Sequence, residues 1–171
     1  MKTAVIIGGG PAGCQCALWL HMLGYDVLII EKSNQLGGLQ CESPYINNWL
    51  IGTMNLQGQE IAKNIQRHIE KMKIPVFFNS TVKNIKKITE GFEVEVGNEV
   101  ITTYNIVIAT GVRPCSGPFS VKKNVIIGPG KKISEFPFLN KKVAILGGGD
   151  NAAENYSFIK EKNPEQCHCL S

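Results

Sequence analysis

The sequence contains no long hydrophobic run. Its longest apolar stretches, such as residues 4–7 and 27–30, fall far short of the roughly 18 residues that a membrane-spanning helix needs, and no membrane partner is expected. The N-terminal apolar stretch meets Gly8, Gly9 and Gly10 at once, leaving no signal-peptide core or cleavage site to draw, so a cytoplasmic protein is expected. Charge is modest: 19% of the residues are charged, and 18 basic against 14 acidic residues give a net +4. The basic pairs Lys86-Lys87, Lys122-Lys123, Lys131-Lys132 and Lys141-Lys142 are scattered, without the interleaved aromatics of a stacking platform. They read as solvated surface, and no nucleic-acid partner is expected. No C-x-x-C occurs among the six cysteines, which fall as Cys14-x-Cys16, Cys41, Cys115 and Cys167-x-Cys169. This spacing suits neither a disulfide scaffold nor a zinc finger, and His168 has no second ligand pair at a fixed distance, so free thiols without a metal are expected.

What is present is a chain of 171 residues, 43% of them hydrophobic, with 18 glycines and 8 prolines. That is enough for a buried core and too apolar for a disordered chain. Residues 3–7 read as a buried parallel strand, residues 11–23 as a helix opened by Pro11 and closed by Gly24, and residues 26–31 as a second buried strand. Together they make a β-α-β unit and predict an α/β parallel sheet of Rossmann-like kind. Residues 33–57 read as loop. Ala62, Ile65, Ile69 and Met72 then recur at helical spacing within an amphipathic helix over 59–73, which Pro75 blocks. A strand over 76–78 leads to a meander of period-2 strands, 82–88, 92–96 and 99–103, inserted before another buried strand over 106–109. Residues 114–140 are broken by repeated glycine and proline and read as a linker with one short strand over 125–127. A strand over 142–146, a helix over 150–161 and a strand over 166–170 follow. The division expected is residues 1–113 as one domain and 114–171 as the start of a second.

Two glycine turns carry the chemistry. Gly8-x-Gly10-x-x-Gly13 stands between a strand and a helix, where its glycines allow the tight turn, the approach of backbone to a pyrophosphate and the packing of helix on strand. Glu31 ends the second strand 18 residues after Gly13, where an acceptor for ribose hydroxyls belongs. Gly147-x-Gly149-x-x-Ala152 repeats the arrangement, with Asp150 unhelpful beside a phosphate unless it caps the helix. Two such turns imply two dinucleotides, and a flavin with a nicotinamide is the economical pair because the cofactors themselves carry the electron transfer.

With Gly37-Gly38, Ile46-Asn47-Asn48-Trp49, Gly58-Gln59-Glu60, Ile106 to Gly111 and Gly147 to Glu154 in that order, the chain resembles the thioredoxin reductase-like flavoproteins of the pyridine nucleotide-disulfide oxidoreductase superfamily along nearly its whole length. The resemblance implies an FAD domain interrupted by an NAD(P)H domain. It places Gly8, Gly10, Pro11, Ala12 and Gly13 on the FAD pyrophosphate, Glu31 with Lys32 at the adenosine ribose, and Gly38 and Asn48 near the flavin. It also places Val82 backbone at the adenine, Ala109, Thr110 and Gly111 where the chain leaves the FAD domain, and Gly147, Gly149, Asp150, Asn151 and Ala152 on the nicotinamide dinucleotide.

Three departures accompany it. The redox dithiol of thioredoxin reductases would stand at Gly130-Lys131-Lys132-Ile133, where there is no cysteine, and Cys41 and Cys115 are single. Leu39-Gln40 stands where the family has Gln and then a hydrophobic residue. The chain stops at Ser171, before the family's return to the FAD domain, so a C-terminally truncated protein is expected. The leading reading is an FAD- and NAD(P)H-dependent oxidoreductase without a dithiol relay, passing electrons to an unidentified small molecule or small redox protein. No side chain stands out as acid, base or nucleophile, and a homodimer is the family expectation. The alternative is a truncated, non-catalytic nucleotide-binding or interaction module. A flavin monooxygenase ranks lower for want of F-x-G-x-x-x-H, and an NAD-only dehydrogenase lower still.

Overall fold

The computed structural model describes residues 1–48, 50–113, 124–128 and 130–170. Trp49, Cys115, Lys122-Lys123 and residues 114–123 of the expected linker lie outside them. The chain divides into two compact units, Met1–Val112 and Arg113–Ser171.

In the first unit, β1 (Lys2–Ile7), α1 (Pro11–Met22) and β2 (Val27–Ile30) form the β-α-β motif, with β1 and β2 parallel. A 3-10 turn over Gly38–Glu42 and a two-residue hairpin, β3 (Ile46–Asn47) with β4 (Leu56–Gln57), occupy the stretch expected to be loop. Strands of two residues have no alternation to read. Helix α2 (Gly58–Lys71) starts where the Gln57 N–H donates to Glu60 Oε2 at 2.9 Å, a reciprocal contact of the capping-box kind. β5 (Val76–Phe77), β6 (Val82–Ile88), β7 (Gly91–Val96) and β8 (Glu99–Ile108) complete a six-stranded sheet in the order β5-β2-β1-β8-β7-β6. The first four of these run parallel to one another, and β8-β7-β6 is the antiparallel meander.

The expected strands 99–103 and 106–109 are one continuous strand. β8 pairs antiparallel with β7 through Thr103 opposite Phe92, and parallel with β1 from Thr103 opposite Lys2 to Ile108 opposite Ile7. Thr103, fully buried at the changeover, has its hydroxyl within hydrogen-bond reach of the carbonyls of Lys2 and Asn105, at 3.2 and 2.9 Å, which share its one proton. The amide of Asn105 donates to the Thr3 carbonyl at 3.0 Å. These polar residues interrupt the apolar alternation, which is why the sequence reads as two strands.

Alternate residues of β1 and β2 enter different cores. Ala4, Ile6, Val27 and Ile29 pack with Cys14 and Ala17 of α1 and Ile69 of α2, while Val5, Leu28 and Ile30 pack against Val94 and Val96 of β7. Both faces of the parallel strands are therefore covered, helices on one and meander on the other, as their continuous apolar runs require. Burying each such Ile or Val side chain stabilises by roughly 1.5–3 kcal/mol.

In the second unit, α3 (Lys131–Glu135) precedes β9 (Lys142–Leu146), α4 (Asp150–Lys160) and β10 (Gln166–Leu170), which build a second parallel β-α-β motif with Gln166 opposite Lys142 and Leu170 opposite Leu146. Val143, Ile145 and Cys167 pack on one face against Ile133, Phe138 and Ile159, whereas Leu146 and Leu170 on β9 and β10 are exposed. The strand expected over 125–127 is absent. Only Val125 makes an isolated bridge, and Ile126 instead contributes its side chain to the Ile133–Phe138–Ile159 core.

Candidate dinucleotide-binding site

The first glycine turn lies at the C-terminal ends of three parallel strands, the place where open α/β sheets bind ligands. The Gly8 N–H donates to the Ile30 carbonyl at 2.8 Å and the Ala109 N–H to the Ile7 carbonyl at 2.9 Å, so β2 and β8 flank the turn. Gly8 has φ +108°, and a Cβ there would run into the Ala109 carbonyl. At Gly13 a Cβ would strike the Gly8 carbonyl oxygen, so the absence of a side chain lets α1 sit directly on the turn. The helix opens with Gly10 as N-cap and Pro11 in its first turn. It has no side-chain cap and no acidic residue there, leaving the N–H groups of the first turn and the positive end of the helix to an anion.

Glu31, only 6% exposed, ties this turn to β2. Its Oε2 accepts the Gly9 N–H at 2.6 Å, and its Oε1 accepts both the N–H and the hydroxyl of Ser33 at 2.8 Å. Burial pushes the carboxyl pKa up, but the Ser33 and Gly9 N–H groups, the Ser33 hydroxyl and the Lys32 charge outweigh burial and hold it below the ordinary carboxylate value. The Gly9 carbonyl in turn accepts the Gly37 N–H at 2.8 Å and the Cys14 thiol at 3.2 Å. A Cβ on Gly38 would lie 3.1 Å from the Cα of Gly10, so the 37–38 turn rests directly on the first glycine turn. Gly8, Gly10, Pro11, Ala12, Gly13, Glu31, Gly38 and Ala109 are thus brought together, with Lys32 exposed beside Glu31 and Thr110 and Gly111 exposed just beyond Ala109.

The second turn repeats this in outline. The Gly147 N–H donates to the Leu170 carbonyl at 2.8 Å, Gly147 has φ +143°, and a Cβ there would lie 3.5 Å from that of Ala152. Gly149 faces open space and is the N-cap of α4. Asp150 is the first residue of that helix, not its cap, so its charge stands in the first turn. Asn151 is exposed beside it.

The profile of the pyridine nucleotide-disulphide oxidoreductase family matches residues 2–162. The chain belongs to that family. Among curated relatives, the ferredoxin–NADP reductase of Ligilactobacillus salivarius is 29% identical over 111 residues, covering 63% of this chain and 32% of the relative. The ferredoxin–NADP reductase of Streptococcus sanguinis is 32% identical over 110 residues, covering 62% and 34%. The chain therefore spans about a third of the length of the curated relatives it matches. Among solved structures, the thioredoxin reductase of Lactococcus lactis superposes with a TM-score of 0.83 at 19% identity, over 99% of this chain and 55% of that one. The Rossmann-like α/β fold is thereby shared.

Two further residues expected at the first site lie on other elements of the same unit. Asn48 is exposed in the β3–β4 connection, where its Oδ1 accepts the Asn55 N–H at 3.1 Å. Val82 opens β6 opposite Val96 and sends its side chain into the core beneath the meander. Between β2 and Val82, the Ser80 N–H donates to the Glu31 carbonyl at 2.9 Å. A cavity of about 730 Å³ lies further along, between residues 76–81 and the Gly97-Asn98 turn. Gln40 Oε1, in the departing loop, is buried beside Gly58 without a hydrogen-bond partner among the described residues.

The described cysteines are free thiols. Burial and the nearby Glu31 charge push the Cys14 thiol up to about 12. Burial likewise raises Cys41, whose thiol donates to the Leu36 carbonyl at 3.1 Å. Both stay protonated at neutral pH and neither offers a thiolate for exchange. Where a family dithiol would stand, Ile133 is buried in α3. Iodoacetamide at pH 8 is expected to label exposed Cys169 long before Cys14. Peptide mapping that found Cys14 labelled as fast would contradict the buried, hydrogen-bonded thiol.

Sequence reasoning missed Ser33 and Cys14. Ser33 stands two residues after the acidic residue that follows β2, a spacing that suits a short side-chain-to-backbone turn. Cys14 carries no comparable signal, because a buried thiol reads as a small core residue.

Proposed function

We propose that the chain is the FAD-binding part and the beginning of the NAD(P)H-binding part of a flavoprotein oxidoreductase that takes electrons from NAD(P)H and delivers them to a small redox protein of the ferredoxin kind. The observation that carries this reading is the first glycine turn, anchored through Gly9 to both Glu31 and the 37–38 turn. Its uncapped helix start suits a pyrophosphate. Gly10 and Gly38 leave a side-chain-free surface beside it, and Glu31 keeps acceptor capacity for a ribose. The names of the ferredoxin–NADP reductases favour the acceptor class, and residues 130–133, where the resemblance would put a dithiol, hold no cysteine.

Gly8, Gly10, Pro11, Ala12, Gly13, Glu31, Lys32 and Gly38 would hold FAD, with Ala109, Thr110 and Gly111 at the edge of its site. Gly147, Gly149, Asn151 and Ala152 would hold the nicotinamide dinucleotide. Its phosphates meet a less favourable helix start there, because of Asp150. When bound, the two cofactors supply the hydride transfer, and the protein's contribution is binding and orientation. Asn48 and Val82 belong to this reading as residues reached by the flavin and the adenine.

The test is the visible spectrum of the chain after reconstitution with FAD and desalting, followed by anaerobic NADPH or NADH. Retained flavin that either nucleotide bleaches is the expected result. Retained flavin that neither bleaches would reduce the chain to FAD binding, the non-catalytic alternative. Loss of all flavin on desalting would overturn the proposal.

A further inference from the structure

Ser33 gives Glu31 Oε1 everything it can donate, its N–H and its hydroxyl, each at 2.8 Å. The hydroxyl oxygen also lies 2.7 Å from the Gln35 carbonyl, so one proton faces two acceptors. An ionised carboxylate is the stronger of them, and the proton belongs to Glu31. Oε1 then holds two donors, whereas Oε2 holds one, the Gly9 N–H at 2.6 Å. The carboxylate has a single lone pair left, on Oε2. The backbone around it is pinned as well, since the Asn79 N–H donates to the Ser33 carbonyl and the Ser80 N–H to that of Glu31, both at 2.9 Å.

We propose that Ser33 is a positioning residue for the dinucleotide: its double hold on Oε1 fixes the Glu31 carboxylate so that Oε2 grips the glycine turn and offers its one remaining lone pair to a single adenosine ribose hydroxyl. The inference rests on the FAD reading above. A carboxylate free to rotate could meet a vicinal diol with both oxygens; the held one meets it with one, at a place set by Gly9. The hold also favours the ionised carboxylate. The other charged or titratable groups facing Glu31 are Lys32, which favours ionisation too, and the Cys14 and Cys41 thiols, both raised and therefore neutral near pH 7. Removing the hydroxyl should make FAD leave at a higher pH on the acid side.

The experiment titrates flavin fluorescence in the full chain and in its Ser33→Ala and Ser33→Thr variants. The probes are FAD and an FAD analogue whose adenosine ribose lacks both hydroxyls, each across the acid pH range. Ser33→Ala is expected to bind FAD about tenfold more weakly, the scale of a lost hydrogen bond to a charged group, and to release it at higher pH. Ser33→Thr, which keeps the hydroxyl, should restore both, and the alanine penalty should shrink for the analogue. Equal affinity and pH profile in Ser33→Ala and the unaltered chain would overturn the proposal, as would an equal loss for FAD and analogue, which would assign Ser33 to the fold alone. If the unaltered chain binds no FAD, the cofactor reading fails and the ribose role with it. Acid unfolding without FAD then reads the hold separately: a midpoint raised in Ser33→Ala supports it, and an unmoved one removes it.

Discussion

Replacing Gly8 by alanine is expected to lower the thermal midpoint of the first unit by roughly 10–20 °C and to abolish FAD retention. Two costs coincide at this position. A side chain at φ +108° is strained, by about 1–2 kcal/mol for a non-glycine residue, and its Cβ would overlap the Ala109 carbonyl, where overpacking costs about 1–3 kcal/mol. Backbone on both sides prevents an easy escape, because Gly8 and Ala109 are each fixed by hydrogen bonds to neighbouring strand ends. A domain of about this size loses roughly 4–8 °C per kcal/mol. Gly24→Ala is the control. Gly24 also has a positive φ, +86°, but a Cβ there meets nothing within 4 Å, so only the conformational cost applies and a shift about half as large should be seen by calorimetry. Equal shifts in the two variants would show that contact with Ala109 contributes nothing.

Glu31→Ala should be nearly as damaging, at about 2–4 kcal/mol near neutral pH, since it strips the Gly9 N–H and both Ser33 donors of their acceptor inside a buried site. The effect is pH-dependent with a definite sign. The folded-state pKa of Glu31 lies below its ordinary value of 4.5, so the folded state binds fewer protons than the unfolded chain in the range between the two. Its stabilisation is fully present above the ordinary value and is lost as pH falls through the lowered one. Urea unfolding from pH 7 to pH 3 should therefore show the unaltered chain and Glu31→Ala converging toward the acid end. A gap that stays constant across that range would mean that ionisation of Glu31 contributes nothing to the fold.

Much of this site was legible because its first turn is a local matter. Gly8, Gly10 and Gly13 announce themselves through spacing between a strand and a helix, and Glu31 through its distance from them. Asn48 is named from the order of motifs along the chain; its hydrogen bond from the Asn55 N–H, within its own hairpin connection, depends on the shape of that connection and has no signal in the motif. Ser33 shows another limit. Its importance arises from the rotamer of a neighbouring carboxylate, which no periodicity encodes. In the fold, the helices and buried strands follow the apolar pattern to within a few residues. The misread elements are those where pattern is short or interrupted: the two-residue hairpin, the isolated Val125 bridge, and β8, whose polar Thr103 and Asn105 disguise one strand as two.

β8 also joins a local pairing to a distant one. Its first half meets β7 across the tight Gly97-Asn98 turn, and β7 meets β6 just as locally. Its second half meets β1 through partners as far apart in sequence as Lys2 and Thr103, a closure whose entropy must be met before any contact repays it. During synthesis the meander can zip as soon as it emerges, while β1 and β2 wait with one edge and one face bare until residue 108 arrives. The strand that finally covers β1 also delivers Ala109 to Gly8, so the glycine turn acquires its finished shape only when the last strand of its sheet has been made.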